Sequence, residues 1–285
     1  MDTSEKKYSK NELKKISYEL KKLVLQMLNT AGSGHTGGAL GLSDIYTVLY
    51  SGFANITPKN YNSHNRDYIF VSNGHTAPIL YATLAYFDFI KYEELKTLRT
   101  LHSRLQGHPH ISSIPGVENS GGPLGQGISQ AVGLAAALKR DERENEVICI
   151  VGDGECEEGQ VWEALLFANK EKLDNLIIIV DRNNIQIDGT TQEVLSFDNL
   201  KDKFKSFGCM TTQIDGNNIE HIQKALEHAI KRRGKPHAII ANTIPGSGVD
   251  FMENEVKWHG KVPNDEELQL SIEQLNSNIE KLNKK

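Results

Sequence analysis

Cysteine is scarce in this sequence, and long apolar runs are missing. The 285 residues include three cysteines. Cys149 and Cys209 lie in apolar runs, which favours core packing over a disulfide framework. No apolar run approaches the roughly 20 residues that a membrane-spanning helix needs, and the lysine-rich start lacks the apolar region of a signal peptide. We therefore expect a cytoplasmic protein without a membrane partner.

The sequence also lacks a strong excess of charge and any recognisable linker. Its formal net charge is -5 and its isoelectric point is about 6.1, which gives no reason to expect a nucleic acid as partner. We find no Pro/Gly/Ser-rich linker, internal repeat or low-complexity tract. A chain of this length can bury a sizeable core as one large domain or two smaller ones. We predict a single domain over residues 1–285.

One βαβ unit is the clearest local pattern. Apolar runs at Val147–Val151 and Leu176–Val180 predict buried strands, and the amphipathic segment Gln160–Lys172 between them predicts a helix. A right-handed crossover puts the carboxyl ends of both strands at one edge of a parallel sheet, where ligands of such folds bind. Asp153 follows the first strand and Asn183 the second. We therefore expect these two side chains to converge.

The rest of the chain extends this unit into an α/β fold. We expect a parallel sheet of about five strands with helices on both faces. The further strands are predicted at Tyr68–Val71, Cys209–Ile214 and His237–Ala241. The helices are predicted at Lys10–Thr30, after a capping Ser43, from near Thr76, and at Ile128–Lys139, Ile219–Arg232 and Asn264–Lys285.

The oxygen-bearing side chains at the expected strand ends suit a metal ion bound to phosphate. A carboxylate on Asp153 and an amide oxygen on Asn183 are hard ligands of the kind Mg²⁺ prefers, and Ca²⁺ and Mn²⁺ share that preference. Gly154 leaves the backbone room to approach a diphosphate. Taken alone, Asp-Gly and Asn-Asn are also common turn dipeptides. The prediction of a metal site therefore depends on finding both of them at the ends of neighbouring strands.

Gly152-Asp153-Gly154 followed about thirty residues later by Asn183-Asn184 resembles the thiamine diphosphate signature. The flanking sequence resembles the transketolase family from Ser33-Gly34-His35 to Trp258-His259-Gly260. The resemblance implies a thiamine diphosphate-binding fold that uses thiamine diphosphate and Mg²⁺. It also implies transfer of a two-carbon ketol unit from a ketose or ketose phosphate to an aldose or aldose phosphate.

Four histidines in loop contexts match the family's motifs. The resemblance implies that His35 and His259 flank the reacting hydroxyl and aldehyde oxygens, and that His259 also approaches the diphosphate. It further implies that His108 binds the donor near its carbonyl end and that His75 contacts the cofactor. Neutral imidazole can both accept and donate a proton near pH 7, so all but His75 are expected to be catalytic.

Further contacts follow from the same resemblance. Gly122, Pro123 and Leu124 match a Gly-Pro-Leu-Gly segment that lines the cofactor, and Ile185 is expected to provide its backbone carbonyl as the third protein ligand of the metal.

Three glutamates stand beside the metal loop, at positions 155, 157 and 158. A run of charge usually forms a solvated face. Glu155 is nevertheless counted with the cofactor-binding loop. Glu158 is expected to act in catalysis through the subunit interface, where the family links this glutamate to an activating glutamate of the partner half.

The glutamate that activates thiamine diphosphate lies in a second, pyrimidine-binding domain of the family, as do the groups that hold the sugar phosphate. We find no such second half here and expect a split transketolase, active only with a C-terminal partner subunit in an α₂β₂ assembly. His110 and Gln106 depart from the family pattern around the donor segment.

Two alternatives stay open at this point. The chain could serve another split thiamine enzyme, such as a deoxyxylulose phosphate synthase-like system or the alpha subunit of a 2-oxoacid dehydrogenase. The pair His35 and His259 argues against the dehydrogenase. It could also be a non-catalytic thiamine diphosphate-binding module, although a mere binder needs no proton-transfer groups.

Overall fold

A five-stranded parallel sheet forms the centre of the computed structural model, which describes residues 8–196, 199–231 and 234–284. The sheet order is β1-β2-β3-β7-β6, and all its neighbouring strands are parallel. The predicted five parallel strands are thereby confirmed. A separate two-stranded hairpin, β4 and β5, follows β3 directly. The strands are β1 Tyr68–Val71, β2 Val147–Gly152, β3 Leu176–Arg182, β4 Ile185–Gln186, β5 Gly189–Thr190, β6 Met210–Asp215 and β7 His237–Asn242.

Strands β2 and β3, in the interior of the sheet, are buried on both faces. Every residue of β2 is buried, and so is β3 apart from its last residue. Ile148 and Ile150 pack into one apolar cluster, whereas Cys149 and Val151 pack into a second cluster on the opposite face. This alternation is the pleat of a strand whose two faces are both covered by helices. Continuous apolar runs are the sequence signal of such strands.

The described residues contain ten α-helices, and most of them cover the faces of the sheet. Helices α1, α3, α4 and α9 contribute to the first cluster, and α5, α6 and α8 contribute to the second. The helices are α1 Lys10–Ala31, α2 Gly37–Gly41, α3 Ser43–Val48, α4 Ala77–Tyr86, α5 Gln126–Arg140, α6 Gly159–Lys170, α7 Thr191–Val194, α8 Leu200–Ser206, α9 Ile219–Ala229 and α10 Asp265–Asn283. None of them is long and apolar enough to span a membrane.

The first helix is defined at both ends by local chemistry. The Ser9 side chain accepts a hydrogen bond from the Glu12 amide, and the Glu12 carboxylate accepts one from the Ser9 amide, which is a capping box. At the other end Gly32 has a φ of 63°, in the left-handed region that glycine tolerates. The chain then leads into the segment that carries His35.

The structure corrects one predicted boundary and extends another. Ser43 does not cap a helix, because α2 precedes α3 almost without a gap, and the Ser43 hydroxyl donates to the carbonyl of Ala39 at 3.1 Å. After β1, a 3₁₀ turn at Gly74–Thr76 precedes α4. The predicted helix ends at Arg232 and Lys285 lie outside the described residues.

Packing of α5 against the end of β1 yields a stability prediction. A Cβ added at Gly127 would lie 2.6 Å from the Cα of Ser72, whereas one added at Gly133 in the same helix meets nothing within 4 Å. We expect Gly127→Ala to lower the free energy of unfolding by about 1–3 kcal/mol through overpacking. Gly133→Ala should raise it by about 0.5–1 kcal/mol because alanine is the better helix former.

Urea unfolding of both variants and the wild type measures the difference. Equal stabilities of the two variants would contradict the proposed contact between Gly127 and β1.

Candidate active site

A cavity of about 300 Å³ opens at the carboxyl edge of the sheet. Its wall is built from the ends of β2 and β3, the β4–β5 hairpin, and loops that carry four histidines. The residues that line it are His35, His75, His108, Gly122, Leu124, Gly152, Asp153, Gly154, Glu155, Asn183, Ile185, Gln186, Ile187, Asp188 and His259. Eleven of the thirteen residues singled out in the sequence lie in this wall.

Asp153 joins the loops that follow β2 and β3. Its Oδ2 accepts a hydrogen bond from the Asn184 amide at 2.7 Å, and its Oδ1 accepts one from the Gly154 amide at 2.9 Å. Asn184 has a φ of 61°, a left-handed conformation that asparagine adopts more readily than most residues. Burial raises the pKa of Asp153 to about 6, although these backbone amides act in the opposite direction.

The amide of Asn183 is held from both sides. Its Nδ2 donates to Asp181 Oδ2 at 2.8 Å, and its Oδ1 accepts from the Ile185 amide at 3.0 Å. Asp181 also accepts a hydrogen bond from the Thr243 hydroxyl, and burial raises the pKa of Asp181 to about 7. Asn183 is therefore oriented by a buried carboxyl that lies behind the cavity wall.

These oxygen donors fit a hard divalent cation. The described residues contain no group of three or more His, Cys, Asp or Glu side chains placed to hold a metal. The set expected from the sequence needs only one such side chain, Asp153, with the Asn183 amide oxygen and the Ile185 carbonyl. Its all-oxygen chemistry suits Mg²⁺, which commonly completes its shell with phosphate and water.

Three histidine rings form a triangle in the cavity wall. The ring centroids of His35 and His75 lie 5.3 Å apart, those of His35 and His259 5.6 Å, and those of His75 and His259 5.2 Å. The buried Nδ1 atoms of His35 and His259 form no hydrogen bond with any described residue. Buried ring nitrogens without a protein partner are available to a ligand.

Burial keeps these imidazoles neutral. It lowers the pKa of His35 to about 4 and that of His75 to about 3, with further lowering by the neighbouring histidines in both cases. Burial also lowers the pKa of His259. His108 stands at the exposed side of the cavity, and its pKa is lowered first by partial burial and then by Arg99. Neutral imidazoles at pH 7 can accept a proton.

Glycines let the histidine loops approach the loop that precedes α5. A Cβ on Gly74 would lie 2.8 Å from the Gly122 amide nitrogen and 3.0 Å from the Gly121 Cα. Gly122 itself has a φ of 127°, which side chains other than glycine's rarely permit. Close backbone contact thus places Gly122 beside His75.

Glu155 is buried, unlike its neighbour Glu158. Its Oε1 accepts hydrogen bonds from the Ser72 hydroxyl and, at 2.8 Å, from the Gly125 amide, and its Oε2 accepts one from the Gly152 amide at 3.0 Å. Both oxygens are therefore engaged by the protein. Glu155 lines the cavity and holds its walls together, and its expected contact with the cofactor stays a prediction.

Two predicted residues do not reach the cavity, and four residues outside the predicted set do, namely Gly152 and three residues of the β4–β5 hairpin. Pro123 and Glu158 are exposed and lie outside the wall. Gln186, Ile187 and Asp188 belong to the β4–β5 hairpin, and Gln186 donates to Glu157 at 2.8 Å. The Asp-Gly pair at residues 188–189 was the available signal, because this dipeptide is common in turns, and the two turn residues of the hairpin are Ile187 and Asp188.

The family model described as "Transketolase, thiamine diphosphate binding domain" matches residues 13–282. An apulose-4-phosphate transketolase subunit of Actinobacillus succinogenes is 40% identical over 268 residues, which cover 94% of this chain and 97% of that protein. A 6-deoxy-6-sulfo-D-fructose transketolase subunit of Clostridium sp. is 38% identical over 256 residues, covering 90% and 93%.

Solved structures agree with the sequence relatives. The transketolase of Campylobacter jejuni superposes with a TM-score of 0.82 at 34% identity, over 95% of this chain and 48% of that one. The transketolase of Leishmania mexicana gives a TM-score of 0.82 at 27% identity, over 95% and 46%. The chain thus spans about half the length of these transketolases.

The depressed histidine pKa values predict a pH effect on stability. Between about pH 6.5 and pH 4, unfolded His35 and His75 take up protons that the folded cavity resists. The histidines therefore lower stability as the pH falls through this range. Since the raised pKa values of Asp153 and Asp181 act in the opposite sense, the test is a difference between variants.

We expect wild type to lose stability relative to His75→Gln as the pH is lowered from 7 to 5. Urea unfolding at pH 7, 6 and 5 measures that difference. A difference independent of pH would show that His75 titrates alike in the folded and unfolded states.

Proposed function

The chain belongs to the transketolase family as a thiamine diphosphate-binding domain, and on this premise we propose that it is one subunit of a two-chain transketolase. The proposed reaction moves a two-carbon ketol unit from a ketose phosphate to an aldose phosphate. The observation that carries the proposal is the meeting of two kinds of site in one cavity. Asp153 and Asn183 form an oxygen-rich end, and His35, His75 and His259 form an imidazole end.

The oxygen-rich end is suited to hold the cofactor. Asp153, Asn183 and the Ile185 carbonyl would bind Mg²⁺, and Gly154 and Gly122 would leave room for the diphosphate. Leu124 and Ile187 supply apolar surface in the same cavity. When bound, thiamine diphosphate supplies an electron sink next to the donor carbonyl, and the protein contributes orientation and proton transfer.

The imidazole end is suited to move protons. A donor ketose loses a hydroxyl proton as its carbon-carbon bond breaks, and an acceptor aldehyde oxygen gains one as the new bond forms. His35 and His259 have buried ring nitrogens without a partner among the described residues, and their lowered pKa values keep them unprotonated at pH 7. We assign both steps to this pair. His108, on the open side of the cavity, would bind the donor.

A partner subunit is part of the proposal. Two of the similar proteins are named as transketolase subunits. In this chain Leu124 and Ile187 line the cavity yet are 40% and 70% exposed, an arrangement typical of an interaction surface. Glu158 and Pro123 are exposed nearby. We propose that a pyrimidine-binding subunit covers this side in an α₂β₂ assembly, supplies the activating glutamate, and meets Glu158.

The metal role of Asp153 predicts a specific loss of affinity. Asp153→Ala removes the one charged ligand, so the affinity for thiamine diphosphate in Mg²⁺ should fall by about 2–3 kcal/mol, roughly 30- to 150-fold in Kd. Calorimetric titration with and without EDTA measures it. Addition of EDTA should strongly weaken the binding of thiamine diphosphate to the wild type, and should have little effect on its binding to the variant.

Glu157→Ala is the matched control, because Glu157 lies in the same loop but bonds Gln186 instead of pointing at the ligand set. Glu157→Ala should bind thiamine diphosphate as tightly as wild type and should lose affinity on addition of EDTA to the same extent. If Asp153→Ala also behaves like wild type in both respects, Asp153 is not a metal ligand.

The proposed division of labour predicts activity only for a mixture. The chain alone should show no ketol transfer, and the chain with a pyrimidine-binding transketolase subunit should show it, with a mass increase in light scattering. In that mixture His259→Ala should lower kcat by roughly 10²-fold or more, the scale of a general acid-base group. His221 is exposed on α9, and His221→Ala should leave kcat unchanged.

Cofactor-dependent turnover by the chain alone would overturn the two-subunit proposal. Tight binding of thiamine diphosphate by a stable mixture, with no transfer from any ketose phosphate, would instead identify a non-catalytic binding module.

A further inference from the structure

Lys21 is fully buried in the middle of α1, which is an unusual place for an amine. Its side chain is 0% exposed. Its Nζ donates to the carbonyl oxygen and to the hydroxyl of Ser247, each at 2.9 Å. The ion pairs of α1 are formed by other lysines, since Lys14 binds Asp44 and Lys22 binds Glu19. A lysine is almost never fully buried unless a charged group is paired with it.

Packing alone does not account for an amine at this position. Burial lowers the pKa of Lys21 to about 7, the charge of Asp44 acts in the opposite direction, and smaller effects come from Lys14, which lowers it, and Glu253, which raises it. A methionine of similar length would fill the same space without the cost of burying an amine. What only the amine provides is the pair of hydrogen bonds to Ser247.

The group that this amine holds belongs to a tight turn after β7, at residues 244–249, which we call the post-β7 turn. The Ser247 amide donates to the carbonyl of Ile244 at 3.1 Å within it. Gly246 has a φ of 79°, and a Cβ there would overlap the carbonyl oxygen of Met252. The turn is therefore closely packed, and its position is set by the groups that bind it.

One side of the post-β7 turn binds the segment that carries His35. The Gly246 amide donates to the carbonyl of Gly37 at 2.9 Å, and Gly37 begins α2 two residues after His35. A Cβ on Gly41, at the other end of α2, would lie 3.0 Å from the carbonyl oxygen of Ile244. The turn thus contacts α2 at both of its ends.

The other side of the same turn supports the segment that carries His259. The Asn254 amide donates to the carbonyl of Pro245 at 3.0 Å. The 3₁₀ turn Val256–Trp258 follows, and His259 comes directly after it. A Cβ on Gly37 would lie 3.2 Å from the last carbonyl oxygen of that 3₁₀ turn. The segments of both histidines therefore meet at the post-β7 turn.

We propose that Lys21 is a positioning residue for the pair His35 and His259. Its amine anchors the post-β7 turn, and that turn holds the two segments so that the histidine ring centroids lie 5.6 Å apart. Lys21 acts on both rings through backbone contacts of the turn. The inference rests on the proposed function for the reaction that the two imidazoles serve, and on the contacts of the turn for their placement.

The placement of the rings is tested without any assay of turnover. The histidine ring signals of the full chain are recorded by NMR for the wild type and for Lys21→Met, which keeps the apolar stem but cannot donate to Ser247. We expect the signals of His35 and His259 to shift, and that of the exposed His221 to stay. Unchanged signals of His35 and His259 would overturn the proposal.

Lys22→Met is the matched control for this experiment. It removes the neighbouring lysine of the same helix, whose Nζ donates to Asn276 on α10 at 3.1 Å and does not bind the post-β7 turn. All histidine signals of Lys22→Met should match those of the wild type. Equal shifts in both variants would show a general response of α1 to the loss of a lysine, and would contradict a specific role of Lys21.

The effect on the reaction is measured with the chain and its partner subunit. Lys21→Met should lower kcat by roughly 10- to 100-fold, because a proton-transfer group misplaced by about 1 Å can cost a factor of about 10². It should change KM for a ketose phosphate by less than about 3-fold. Lys22→Met should keep both constants. A loss confined to KM, or a wild-type kcat with shifted ring signals, would overturn the positioning role.

Ser247→Ala is a milder variant that keeps the test decisive if Lys21→Met does not fold. It removes one of the two acceptors of Lys21, so we expect smaller ring shifts and a loss in kcat of roughly 3- to 10-fold. In the Lys21→Met background the same change should add nothing, because the amine is already absent. Wild-type behaviour of Ser247→Ala, or additive losses in the double variant, would contradict the proposal.

Failure of the proposed function would be visible separately. If the wild-type chain and its partner transfer no ketol unit, the proposed function is wrong. The ring signals of His35 and His259 in Lys21→Met would still decide whether Lys21 positions these two histidines.

Discussion

The buried carboxylate of Glu155 is the interaction on which the cavity depends. It binds the Ser72 hydroxyl at the end of β1, the Gly152 amide at the end of β2, and the Gly125 amide just before α5. A buried carboxylate without partners would be costly, and three donors offset that cost. Burial still raises the pKa of Glu155. One side chain thus fixes the positions of the His75 loop, the Asp153 loop and the loop that contains Gly122.

Close backbone contacts at glycines also hold these loops together. Gly127 lies against Ser72, and Gly74 lies against Gly121 and Gly122, at distances that leave no room for a Cβ. These contacts bring loops from distant parts of the sequence to one edge of the sheet. They also shield His75 from water, which is the main reason for its low pKa. The glycines therefore help to bury His75 as well as to shape the cavity wall.

The cavity joins two kinds of polar group in one wall. Asp153 and Asn183 contribute oxygen atoms from the loops that follow β2 and β3, and three histidines contribute neutral imidazoles. Under the proposed function, the oxygen atoms would bind the metal and its diphosphate, and the imidazoles would contact the sugar. Leu124 and Ile187 are exposed apolar residues of the same wall, on which the proposed partner subunit would pack.

The sequence by itself determined the parts of this protein that depend on local pattern. Apolar runs of five residues revealed β2 and β3, and helical periodicity revealed α1, because strand and helix place apolar side chains at periods that can be read along the chain. The parallel crossover between the two strands was then enough to predict that Asp153 and Asn183 converge. Tertiary structure alone decided which member of the acidic run is buried, because Glu155 finds its donors on β1, on β2 and before α5, far apart in sequence. It likewise decided that Ser43 bonds backward to Ala39 instead of capping a helix. In each case the outcome depends on which polar groups meet once the loops are packed, and no local periodicity records such a meeting.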